Sequence, residues 1–237
     1  MGLWPSVYAD STPIQKLIDQ AGKTDSDALI VYRDGQKIVD RWFDGGPRKI
    51  EAMSVTKSIV SLAIGVLLEQ QKIESIDQAV WEFFPEWKQG KKKSITIMHL
   101  LTHTSGLQAN RTAHDLYSTP NVAQFALAAD TISFPGEKFF YNNKATNLLP
   151  ELIERASGEQ FTNFINSHLF KKMGIIDFTW TKDASGNAHG MAGLQIFPDD
   201  LAKLGLLTLQ NGNWDGKQMV DPSFLTNSIK SFDGAIN

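Results

Sequence analysis

Ala52 to Leu68 reads AMSVTKSIVSLAIGVLL, and the character of this run decides the fold. Ser54 and Lys57 stand three apart, so in a helix both side chains leave the same face of the first turn. From Ile59 to Leu68 the run is apolar nearly all round, broken by Ser61 and Gly65, which is the pattern of a helix sunk in a protein core. It is too short to cross a bilayer. The N-terminus of such a helix favours negative charge, so an oxyanion forming at Ser54 is stabilised there. A lysine taken out of water at position 57 would favour the neutral amine, which can serve as base to a hydroxyl one turn away. The spacing alone is weak: chance placement yields about one Ser-x-x-Lys in a chain with this many serines and lysines. An N-cap serine beside a snorkelling lysine accounts for it equally well.

Working outward, Pro13 lies in the first turn of a helix that Ser11 can cap, with Ile14, Leu17 and Ile18 on one face before Gly22. Ala28 to Arg33 and Lys37 to Phe43 read as strands joined through Asp34-Gly35, a dipeptide suited to a tight hairpin. Beyond the central run, Trp81, Phe83, Phe84 and Trp87 form an aromatic cluster expected to pack. Glu82 and Glu86 stand four apart, a spacing that could pose as a glycosidase pair but is usually a solvated helix face. Lys91-Lys92-Lys93 reads as a solvated loop.

His99 and His103 are four apart within Ile95 to Leu107, ITIMHLLTHTSGL, a geometry that could hold a metal. No glutamate follows His99 and no third ligand is apparent, so structural roles are expected and no metal or other cofactor is called for. Ser105-Gly106 is not a nucleophile elbow, because His103 stands where that turn needs glycine. Further helices are expected from Thr119-Pro120, around Leu148 to Gly158 with Pro150 kinking or delaying the start, from Phe161 to Leu169, from Pro198, and after Asp221-Pro222.

At 237 residues, with 42% hydrophobic and 10% aromatic content, the chain can bury a substantial core. A net charge of −3 gives no basis for a nucleic-acid partner or an anionic membrane surface. The absence of cysteine removes disulfides, thiol nucleophiles and thiolate metal sites together. No segment is long and apolar enough to span a membrane. The start MGLWPSVYADST has neither the basic opening nor the apolar core of a signal peptide, and its formal match to a myristoylation pattern contains Pro5. The compartment stays open.

Several separated stretches agree on one family. Ser54-Val55-Thr56-Lys57, then Leu100-Leu101-Thr102-His103-Thr104-Ser105-Gly106-Leu107, then Pro135-Gly136 followed by Tyr141-Asn142-Asn143, occur in order, and Ala192-Gly193-Leu194 with Asp200 to Gly205 adds a fourth. The chain resembles the beta-lactamase-related serine hydrolases, the group containing class C beta-lactamases, D-alanyl-D-alanine carboxypeptidases, family VIII carboxylesterases and 6-aminohexanoate-dimer hydrolases. The resemblance implies an α+β fold, an antiparallel sheet flanked by helices plus a helical lobe. It divides one domain, 1–237, into an α/β part (1–90), a mainly helical part (91–190) and helices returning to the α/β part (191–237).

By the same resemblance Ser54 is the acylated nucleophile, Lys57 its partner, Tyr141 the general base and then acid, and Asn143 a donor to the substrate amide. A phenol accepts a proton near neutral pH only if a cation stabilises the phenolate, so Lys57 and Tyr141 would titrate as a coupled pair. The substrate is then a small ester, amide or beta-lactam. The family also carries Lys-Thr-Gly, His-x-Gly or Trp-x-Gly on a late strand. His189-Gly190-Met191 fits that only superficially and is expected instead as a loop lining the substrate cleft. The expectation that follows is a C-terminally incomplete domain whose missing part comes from another chain, a swapped copy or a longer stretch of the same chain. A non-catalytic sensor or scaffold keeping the fold, acylated once by a beta-lactam, is the alternative.

Overall fold

The computed structural model describes residues 11–109, 112 and 114–230. The Met1 to Ser6 pattern lies outside them. Helix α1 (Ser11–Ala21) closes at Gly22 and packs on strand β1 (Ala28–Arg33). β1 runs antiparallel to β2 (Gln36–Trp42), with Arg33 opposite Gln36. Asp34 and Gly35 take φ of +51° and +76°, the left-handed pair that matches a two-residue turn to strand twist.

Strand β3 (Ile50–Glu51) leads through a 3-10 turn, Met53–Val55, into α2 (Thr56–Glu69). Ile59, Val60 and every residue from Leu62 to Leu67 are buried, as an all-round apolar helix requires. The middle of the chain is helical: α3 (Ile97–Leu101), α4 (His114–Tyr117), α5 (Val122–Leu127), α6 (Asn143–Thr146), α7 (Leu148–Ser157) and α8 (Phe161–Ile165). Strands β4 (Phe178–Trp180) and β5 (Leu194–Ile196) follow, then α9 (Pro198–Leu209), the short hairpin β6 (Asn213–Trp214) and β7 (Lys217–Gln218), and α10 (Pro222–Ser228). β3, β5 and β4 form one antiparallel sheet in that order, so the strand entering α2 is held by one from late in the chain. Helices flanking small antiparallel sheets make this an α+β fold.

Local chemistry explains where the boundaries differ from expectation. α5 starts at Val122, not at Thr119-Pro120, because the Asn121 side chain accepts the Gln124 N–H at 2.9 Å. Pro150 kinks nothing: α7 begins at Leu148, placing the proline in the first turn, where a missing N–H costs no bond. Glu82 and Glu86 sit in separate 3-10 turns, both exposed, so they share no helix face. Lys92 is not a freely solvated loop residue. Its Nζ donates to Leu127 O at 2.8 Å, beside the donation from Trp87 Nε1 to the same oxygen at 3.0 Å.

One glycine decides how α2 meets α10. A Cβ at Gly65 would lie 2.4 Å from Val220 Cγ1 and 2.7 Å from Phe224 Cδ1, so only glycine lets the two helices approach this closely. Gly65→Val is expected to lower stability by about 1–3 kcal/mol through overpacking. A denaturant midpoint unchanged from wild type would show that the contact is not tight.

Candidate active site

Ser54 lies in the 3-10 turn between β3 and α2, and that turn is fixed from both ends. Ala52 N–H donates to Leu194 O at 2.8 Å, and Leu194 N–H donates to Thr56 Oγ1 at 3.4 Å. Between them Met53 takes φ +47°, a left-handed conformation unusual for a side chain of this type, and it is exposed. Such strain persists only where the surroundings over-determine it, and here it presents the Ser54 side chain outward at the helix entrance.

Lys57 occupies the first turn of α2. Its Nζ lies 3.3 Å from Ser54 Oγ and donates to Met191 O at 2.6 Å. It is half-buried, not withdrawn from water as a fully apolar seat would make it. Tyr141 comes from the loop before α6, and its hydroxyl lies 3.0 Å from Ser54 Oγ. Lys57 Nζ sits 4.9 Å from the centre of the Tyr141 ring. Burial alone would raise the phenol. Hydrogen bonding from Lys57 and Ser54, together with the lysine charge, outweighs it and holds Tyr141 below the ordinary phenol value. Hydroxyl, amine and phenol thus meet at one point, and a proton leaving Ser54 has a short path to a phenolate that a cation stabilises.

The loop that delivers Tyr141 is laid on the segment after α3. Gly136 N–H donates to Thr104 O at 2.8 Å, Phe140 N–H to His103 O at 2.9 Å, and Asn142 Nδ2 to Leu107 O at 2.8 Å. Asn142 Oδ1 in turn accepts the Ala145 N–H and caps α6. His99 and His103 do not converge on a common point. His99 Nδ1 accepts the Thr96 N–H at the start of α3, while His103 Nδ1 accepts the Asn142 N–H at 3.0 Å. Among the described residues no group of three or more His, Asp or Glu could hold a metal.

Asn143 stands two residues past Tyr141, half-buried at the start of α6, with Oδ1 lacking a partner. His189 is fully buried, so its ring does not line an open cleft. It lies 5.0 Å from the Tyr117 ring with neither ring nitrogen hydrogen-bonded. Its loop reaches the cluster through the Met191 carbonyl instead. That loop is shaped by Asn147 Oδ1, which accepts from Gly190 N and Met191 N at 2.8 and 3.1 Å. Sequence reasoning missed Met53, Met191 O and the part His103 plays. The stretch around His103 did carry a signal, since it is one of the motifs shared with the resembled family.

The sequence matches the beta-lactamase family model over residues 14–225. It is 27% identical over 171 residues to Protein flp of Staphylococcus aureus strain MW2, covering 68% of this chain and 34% of that one. Over 245 residues it is 24% identical to the 6-aminohexanoate-dimer hydrolase of Paenarthrobacter ureafaciens, covering 93% of this chain and 62% of that one. The chain therefore spans about a third of the first relative's length and about three-fifths of the second's. Its fold is similar to that of the octameric penicillin-binding protein homologue from Pyrococcus abyssi, with a TM-score of 0.73 and 20% identity over 92% of this chain and 59% of that one.

Proposed function

The chain belongs to the beta-lactamase family, and from that premise we propose that it is a serine hydrolase cleaving ester or amide bonds through an acyl-enzyme on Ser54. The observation that carries the reading is the Tyr141 hydroxyl 3.0 Å from Ser54 Oγ, with Lys57 Nζ at 3.3 Å from the same oxygen.

In the acylation step the Tyr141 phenolate takes the Ser54 proton as Oγ forms a bond to the substrate carbonyl carbon. Negative charge collects on the carbonyl oxygen, which is favoured beside the entrance of α2. Collapse breaks the bond to the leaving group, and Tyr141 returns the proton to the departing alcohol or amine. Water then attacks the acyl-enzyme by the reverse route, with Tyr141 again accepting the proton. Lys57 holds the phenolate charge throughout. Asn143, two residues past the base at the start of α6, is the proposed donor to the substrate amide.

Small esters, amides and beta-lactams share the reacting carbonyl, and the fold does not choose among them. A p-nitrophenyl ester distinguishes the hydrolase from a non-catalytic sensor. The expected result is a burst of one nitrophenolate per chain followed by steady turnover, with the intact mass raised by one acyl group on the peptide containing Ser54. A permanent adduct on Ser54 without turnover would leave the sensor, and no adduct there would overturn both.

A further inference from the structure

Phe139, Phe140 and Tyr141 are all exposed, by 38%, 58% and 47%, so burial of their own side chains does not fix this segment. Yet the phenol must stay within about 0.5 Å of its place to exchange a proton with Ser54. We infer that His103 is the positioning residue that holds Tyr141 over Ser54, by gripping the peptide groups on both sides of the tyrosine. His103 O accepts the Phe140 N–H at 2.9 Å and His103 Nδ1 accepts the Asn142 N–H at 3.0 Å. Between these two anchors the imidazole lies 4.5 Å from the Tyr141 ring, tilted by 30°, while Phe139 meets it edge-on at 6.0 Å. The inference rests on the reading of Tyr141 as base.

The backbone at His103 is shaped for this task. It takes φ +59°, left-handed, at the turn closing α3, a conformation that histidine and asparagine tolerate better than bulkier residues. Accepting an N–H at Nδ1 requires a neutral ring with its proton on Nε2. Burial, and then the charge of Lys57 across the site on α2, keep it so, holding His103 down to about 4. Besides Lys57, Tyr141 faces it through the ring contact, and Lys230 lines the same cavity. A protonated His103 would set one donor against another at Asn142, and the anchor on the C-terminal side of Tyr141 would release.

Asparagine can place Oδ1 where Nδ1 stands and accepts the left-handed turn, but does not titrate. Phenylalanine keeps the ring contact and loses the acceptor. In the full chain His103→Asn is therefore expected to keep near wild-type kcat on a p-nitrophenyl ester. His103→Phe is expected to lose about 10²-fold in kcat with KM little changed, the cost of a misplaced catalytic group. The wild-type rate should fall as pH drops through about 4, and this step should be missing from His103→Asn. The Asn142 amide proton and nitrogen resonances should move through the same range in wild type and not in His103→Asn, a readout independent of turnover.

Equal losses in the two variants, or an Asn142 resonance that stays still in wild type, would overturn the inference. Failure of the underlying reading has a different signature. Tyr141→Phe would then keep full activity, and the positioning role would fall with it.

Discussion

Ser54→Ala is expected to remove the burst and lower steady ester turnover by about 10⁴-fold or more, the scale seen when an activated nucleophile is deleted and only binding and oxyanion stabilisation remain. The same substitution should leave the fold alone. Ser54 is exposed, Lys57 keeps its bond to Met191 O, and the Tyr141 hydroxyl, nearly half exposed, can turn to water. No buried polar group is stranded, so the melting temperature should stay close to wild type, as for surface substitutions that leave a change within about 0.5 kcal/mol. Activity and stability are thereby separated in one variant. There is no cysteine that could substitute as nucleophile. Undiminished turnover in Ser54→Ala would remove Ser54 from the mechanism and leave the three-residue cluster without a catalytic meaning.

The reason Ser54 and Lys57 could be found in the sequence is that their setting is local. An apolar run of one helix fixes its own burial, and a three-residue spacing within it fixes which side chains share a face. The hairpin through Asp34-Gly35 was legible on similar grounds, because the turn dipeptide dictates the backbone it needs. What escaped was set by partners distant in sequence. Met53 owes its φ of +47° to a turn pinned by Leu194 and Thr56, and nothing in the residue type announces it. Tyr141 was placed at the site by family resemblance alone. The physical cause, the loop from Gly136 to Asn142 hydrogen-bonded along His103 to Leu107, is a contact between segments more than thirty residues apart. The pair His99 and His103 shows the limit clearly: the missing third ligand pointed to structural roles, but not to which ones, because the turn at His103 that sends the two rings to separate backbone donors is made with residues far along the chain.

Tyr141→Phe tests the chemistry from the other side of the serine. Loss of general acid–base catalysis costs about 10²–10⁴-fold, and because the ring stays in place the loss should fall on kcat with KM little affected. The pH profile supplies the sharper evidence. The active form of the base is the phenolate, so the rate should rise with pH as Tyr141 loses its proton, over a range below that of an ordinary phenol because Lys57 and Ser54 favour the charged form. Phenylalanine cannot titrate, and the rise should vanish. Lys57→Met leaves the phenol but removes the cation, so the rise should survive and move to higher pH. If lysine and tyrosine act as one unit, the double variant should be scarcely slower than the worse single variant, since each change already disables the same proton transfer. Fully additive losses would mean that Lys57 serves Ser54 by a route that does not pass through Tyr141, and the amine, not the phenol, would then be the base that the site was built around.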